Sequence, residues 1–263
     1  MLHYPQINPI ALQLGPLSIY WYGLMYLIGL FIANGLGRYR ARKPHSGWQQ
    51  EEVNDLGFYV MLGAVVGGRL GYVLFYDLSY SIQKPSSIFA LWRGGMSFHG
   101  GLLGVLLALK YYAHKVVTNF WTISDFVAPL VPLALAAGRI GNFINGELWG
   151  RISNVPWAMV FPQAGPYPRH PSQLYECLGE GLFLFVLIWQ YSRKSRPLGA
   201  ISGLFAVGYA LCRYGIEFFR EPDAHLGFIA WGWLTMGQLL SLPLLLVGIG
   251  LLYRAYFRQL LRL

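Results

Sequence analysis

Arg139, Asn142, Asn145 and Glu147 all lie within GRIGNFINGELWG, Gly138 to Gly150, where a helical pattern gives way to loop residues. Arg139 and Asn142 are spaced i,i+3 and share a helix face, with Asn145 three positions further on. Arginine offers a fixed fork of donors suited to phosphate, asparagine both donates and accepts, and Glu147 can orient the arginine or bind a hydroxyl. The set can therefore hold an oxygen-rich head group, or it can be a buried network that fastens the following loop. A second group, Arg213 and Glu217 at i,i+4 in CRYGIEFFREPD, with Arg220 after them, reads as a helix-stabilising ion pair or as part of an anion site.

His99, set between glycines in GGMSFHGG, has the residue type to relay a proton near neutral pH, and equally suits a satisfied interfacial position. His170 in YPRHPSQLYE sits at another polar boundary, where neighbouring prolines also suit plain loop architecture. Glu176 and Glu180, one helical turn apart, can neutralise basic residues. There is no H-E-x-x-H site, G-x-S-x-G elbow or Cys/His metal array, and the two cysteines, Cys177 and Cys212, both stand in apolar context. Direct reaction between two bound substrates is simpler than transfer through an enzyme nucleophile. No metal and no cofactor are expected.

These residues must be positioned by membrane helices. Of 263 residues 55% are hydrophobic and only 12% charged, about half the charged fraction of a soluble domain, and mean hydropathy is +0.43. This leaves no room for a large soluble catalytic domain. Apolar runs at 17–37, 56–76, 96–113, 120–144, 173–190, 198–216 and 232–253 each approach the ~20 residues that cross a bilayer. The fold expected is all-α, with seven transmembrane helices in one domain over 1–263 and an external connection or cap at 145–172. The first span lacks a basic region directly ahead of it and is expected to be retained.

The net charge of +9 is distributed in small groups between apolar runs, without the continuous basic face of a nucleic-acid groove. With the N-terminus outside, twelve Lys and Arg residues fall on the inner side and five on the outer, Arg93 and Arg220 among the latter, while Arg69, Arg139 and Arg213 lie within spans. That asymmetry favours N-out, C-in. Arg69, Arg139 and Arg213 then all sit toward the outer ends of their spans. Tyr22 and His99 begin spans one and three on the same side, and Tyr175, Glu176 and Glu180 begin span five. Convergence of the three arginines, Arg69 included, on a lipid phosphate is expected, with Asn145 as a further head-group ligand. Glycines in GAVVGGRLG and GGLLG suit close helix packing, with ligand contact as the alternative for Gly63, Gly67 and Gly71.

The landmarks WYGLMYLIG, GGRLGYVLFYD, GGMSFHGG, GRIGNFINGELWG, RHPSQLYE, GLFAVGYALCRYGIEFFREPD and MGQLLS run in order along the chain. In this combination the sequence resembles the bacterial prolipoprotein diacylglyceryl transferase family. The resemblance implies a seven-span enzyme of the bacterial inner membrane, monomeric, with its active site toward the outer leaflet. It would move diacylglyceryl from phosphatidylglycerol to the thiol of a lipobox cysteine in a prolipoprotein, making a thioether and releasing glycerol-1-phosphate. His99, Arg139, Glu147, Arg213 and Glu217 match family positions implied in catalysis, and Tyr22, Asn142, Gly150, His170 and Tyr209 match positions implied in binding. A polar-lipid transporter, or a structural protein tied by Arg and Glu, remains as an alternative reading of the same residues.

Overall fold

The computed structural model describes residues 2–15, 17–44, 46–90, 94–222 and 227–260. Arg93 and Arg262, which enter the orientation count, lie outside the described residues, as does Asp223 of the last arginine motif. The chain forms two compact units, Met1–Leu36 with Asp125–Leu263, and Gly37–Ser124.

The structure is mostly helical, and every apolar run contains a helix: α1 (Trp21–Ala41), α2 (Gln50–Tyr76), α3 (Leu78–Gln83), α4 (Phe98–Lys115), α5 (Phe120–Val127), α6 (Val131–Ile144), α7 (Ser172–Glu176), α8 (Leu184–Tyr191), α9 (Ala200–Ile216) and α10 (Met236–Leu260). α5 continues into α6 through a 3-10 turn at Ala128–Leu130, and α7 continues into α8 through a π-helical stretch at Cys177–Phe183. Among the described residues, Gln50–Tyr76, Phe120–Ile144 and Met236–Phe257 are long and apolar enough to cross a membrane, and Ala200–Ile216 is a shorter apolar helix.

Three helix starts differ by four residues or more from the sequence expectation. Residues Leu17–Tyr20 form a strand, not the start of the first helix. They pair antiparallel with Ile10–Leu14, across a turn where Gly15 takes φ +58°. α2 starts six residues early, at Gln50, because the Gln49 N–H donates to Glu52 Oε2 at 2.7 Å in a capping box. α10 starts late, at Met236, because Trp231 and Gly232 turn through positive φ just before it. The all-α expectation also omitted a small three-stranded sheet, in which Leu2–His3 and Pro168–Arg169 flank Met159–Val160.

In the unit Gly37–Ser124, α2 and α4 meet along glycines. A Cβ on Gly63 would lie 2.5 Å from the Gly104 carbonyl oxygen, and one on Gly71 would lie 2.7 Å from the Gly100 Cα. Such contacts are backbone against backbone, so no side chain can move aside. They support the packing reading of these glycines. Gly104→Val is expected to destabilise the protein by about 1–3 kcal/mol. Gly35→Val, where a Cβ meets nothing within 4 Å, should be tolerated. Thermal unfolding in detergent compares the two.

In the other unit, Leu184, Ile188, Ala128 and Ile201 form a buried cluster against which Leu204, Phe205 and Tyr209 pack. Asp125, a charge inside an expected span, accepts the N–H groups of Gly199 (2.7 Å) and Ser202 (2.8 Å) and the Ser202 hydroxyl (2.6 Å). It thus satisfies two of the orphan donors at the start of α9.

Candidate active site

Arg139 and Arg213 meet through shared carboxylates. Arg139, on α6, lies 3.3 Å from Glu176 Oε2 and 3.2 Å from Glu180 Oε2. Arg213, on the last turn of α9, pairs with Glu176 Oε1, lies 3.6 Å from Glu180 Oε1, and lies 2.8 Å from Glu217 Oε2. Arg220 also reaches Glu176 Oε1, at 3.3 Å. The two central carboxylates have no solvent exposure. Local packing explains this convergence. Gly181, in the π-helical stretch, lies so close to α6 that a Cβ would be 2.5 Å from Ala136 Cβ, which brings Glu180 within reach of Arg139. On the other side a Cβ on Gly237 would fall 2.6 Å from the Glu217 carboxylate.

The end of α6 carries the second part of the site. Asn142 Nδ2 donates to Glu147 Oε1 at 2.8 Å, and Asn145 Nδ2 approaches the same oxygen at 3.4 Å. The turn between them uses Gly146 at φ +65° and Leu148 at φ +57°. Its carbonyls are held from outside, Glu147 by Gln173 Nε2 (2.5 Å) and Leu148 by Ser172 Oγ (2.8 Å). The Tyr4 hydroxyl bonds the carbonyls of Phe143 (2.6 Å) and Ile144 (2.7 Å). The Tyr22 ring packs where Gly141 has no Cβ, near Asn142 and Glu147, and its hydroxyl is 2.9 Å from that of Tyr26. Tyr209, on α9, faces Arg139, Arg213 and the two central glutamates.

Gly150 ties the 145–172 connection to the end of α9. Its N–H donates to the His170 carbonyl at 2.8 Å, and it forms an antiparallel bridge with Arg220. Arg151 Nε adds a bond to the Arg220 carbonyl at 3.0 Å. Beside it the Tyr175 hydroxyl lies 3.0 Å from His170 Nδ1 and accepts from Trp157 Nε1 at 2.6 Å.

Burial pushes the His170 imidazole below its ordinary value. A folded-state value below the unfolded one means the neutral ring contributes stability above about pH 6.5, and that stability is lost as pH falls through the folded value. The emission of Trp157, isolated as the difference between wild type and Trp157→Phe, should therefore change on acidification below about pH 6.5. The change should be absent from His170→Gln.

Two expected site residues belong to the other unit. Arg69 is buried and donates from Nε to the Ile88 carbonyl (2.9 Å), from Nη2 to Ser87 (2.5 Å), and from Nη1 to Gly94 (2.6 Å) and Gly95 (3.1 Å). The contacts found for it hold the segment before α4. His99 is exposed in the first turn of α4, where Ser97 Oγ accepts the Gly100 N–H at 3.2 Å.

Arg139 and Arg213, two of the arginines expected to converge, do so, and Arg220 of the same CRYGIEFFREPD motif joins them. Glu176 and Glu180 neutralise basic residues as expected, and they do so at the centre of the cluster. The available signal was the spacing of Gln173, Glu176 and Glu180 along one helical face, and all three are fully buried.

Apolar helices enclosing a buried Arg and Glu network define a helical membrane protein. A family model described as prolipoprotein diacylglyceryl transferase matches residues 9–254. A relative from Coxiella burnetii (strain RSA 331 / Henzerling II) is 58% identical over 256 residues, covering 97% of this chain and 98% of its own. One from Nitratidesulfovibrio vulgaris is 58% identical over 254 residues, covering 97% and 96%. One from Pseudomonas aeruginosa (strain LESB58) is 56% identical over 259 residues, covering 98% and 97%. All three are named phosphatidylglycerol–prolipoprotein diacylglyceryl transferase. The chain belongs to the prolipoprotein diacylglyceryl transferase family, and it is an enzyme of the transferase class.

Proposed function

We propose that this enzyme transfers the diacylglyceryl group of phosphatidylglycerol to the thiol of a lipobox cysteine in a prolipoprotein. The product is a thioether and the leaving group is glycerol-1-phosphate. The observation that carries this reading is the joining of Arg139 and Arg213 in one buried cluster beside the Asn142 and Glu147 turn.

The thiol sulfur attacks carbon three of the lipid glycerol, so an S–C bond forms while the C–O bond to phosphate breaks. The electron pair goes to the phosphate oxygen, and the thiol proton goes to a base, for which His99 is the candidate. The phosphate gains negative charge as it leaves, and the guanidiniums of Arg139 and Arg213 oppose that charge more strongly in the transition state than in the bound lipid. Glu147 and Glu217 orient Asn142 and Arg213, the partners they hold at 2.8 Å. Tyr22, Asn142, Asn145, Gly150, His170 and Tyr209 line the substrate side. Arg69 serves through the segment it fastens.

The same reading takes the chain as one seven-span domain of the bacterial inner membrane, monomeric and cofactor-free, N-terminus outside and C-terminus cytoplasmic. Residues 145–172 cap the site on the outer face. Sealed vesicles separate this from lipid transport. A transferase consumes phosphatidylglycerol only when a lipobox peptide is present, whereas a transporter moves intact lipid between leaflets without one.

A further inference from the structure

The arginine cluster is balanced before any substrate enters. Among the described residues, three guanidiniums, of Arg139, Arg213 and Arg220, meet three carboxylates, of Glu176, Glu180 and Glu217. The two central carboxyls are fully buried, and the arginine side chains are 18%, 13% and 9% exposed. A phosphodiester entering between Arg139 and Arg213 adds one negative charge without a partner, where little water can screen it. Carboxylates that share a site resolve such a conflict when one of the pair takes a proton.

The geometry selects which one. Glu217 reaches Arg213 alone; of the two carboxylates that reach both Arg139 and Arg213, Glu176 touches three guanidiniums and Glu180 two, the farther at 3.6 Å. Glu180 Oε1, like Glu176 Oε2 and Glu217 Oε2, is buried with no hydrogen-bond partner and so has room to carry a proton. The charged and titratable groups facing Glu180 are Arg139 from α6, Arg213, Tyr209 and Cys212 from α9, and Glu176 on its own helical run.

We infer that an anionic lipid head group binds between Arg139 and Arg213 together with one proton, which Glu180 takes up on Oε1 and donates as a hydrogen bond to a phosphate oxygen. This rests on the reading of that arginine pair as the head-group site. A neutral Glu180 leaves both guanidiniums to oppose the charge on the departing phosphate, so the proton belongs to the productive complex.

The test titrates the purified full chain with short-chain phosphatidylglycerol, whose phosphodiester does not itself titrate near neutrality. Calorimetry in two buffers of different ionisation enthalpy counts the protons. The wild type should take up close to one proton per lipid bound, and its affinity should fall about tenfold per pH unit where Glu180 is ionised in the free enzyme. Glu180→Gln should bind without proton uptake and without that pH dependence. As a check needing no variant, infrared difference spectra of the wild type should gain, on lipid binding, a protonated-carboxyl band that shifts in heavy water. Lipid binding with no proton uptake by the wild type, or equal uptake by Glu180→Gln, overturns the inference and leaves the head-group reading standing. Failure of the lipid to bind overturns both.

Discussion

Arg213→Lys should lower turnover by about 10²–10³-fold while leaving a folded protein. Lysine keeps the charge, but it is a single point on a flexible stem and lacks the planar fork. In the structure that fork is divided, with one Nη atom on Glu176 and the other 2.8 Å from Glu217. An ammonium group cannot satisfy both and also face a phosphate, so the loss should fall on the chemical step. Arg213→Ala should differ in kind. It leaves the buried Glu176, Glu180 and Glu217 short of a cation, and breaking a buried pair in this way costs about 3–5 kcal/mol. Against the ~5–15 kcal/mol that stabilises a typical fold, such a variant should be recovered poorly. Turnover measured beside thermal unfolding in detergent distinguishes the two substitutions.

Gly150→Ala should also lower activity, for a steric reason. Its Cβ would lie 2.5 Å from the Phe219 carbonyl oxygen and 2.6 Å from both Cβ and the carbonyl oxygen of His170. The carbonyls are backbone atoms, so relief requires the bridge between Gly150 and Arg220 to open. Opening it withdraws Arg220 from Glu176, 3.3 Å away, and loosens the carboxylate that holds Arg139 and Arg213. A loss of about 1–3 kcal/mol in stability and a fall in turnover of at least about tenfold are expected. Gly215→Ala, where a Cβ meets nothing within 4 Å, is the matching control and should change neither quantity.

The difference between these two residues also marks what the sequence made legible. The i,i+4 pair of Arg213 and Glu217 and the i,i+3 face of Arg139 and Asn142 follow from helical periodicity, which is local, and Arg213 does pair with Glu217 at 2.8 Å. The seven apolar runs follow from composition, and each contains a helix. The burial of Arg220 was not legible because it depends on a bridge to Gly150, a pairing between residues far apart in the chain. The central place of Glu176 and Glu180 was not legible for a related reason. Their meeting with Arg139 depends on how closely Gly181 approaches Ala136, and helical spacing contains no distance between helices. The strand at Leu17–Tyr20 was read as helix because its residues are apolar enough for either, and only its partner Ile10–Leu14 decides.

The central claim is most directly tested by stoichiometry. The purified chain is incubated with phosphatidylglycerol and a lipobox peptide, and peptide and water-soluble products are quantified by mass spectrometry. The account predicts one diacylglyceryl thioether on the cysteine for each glycerol-1-phosphate released. Lipid consumption without a thioether, or the absence of both products from a folded preparation that binds lipid, would contradict it.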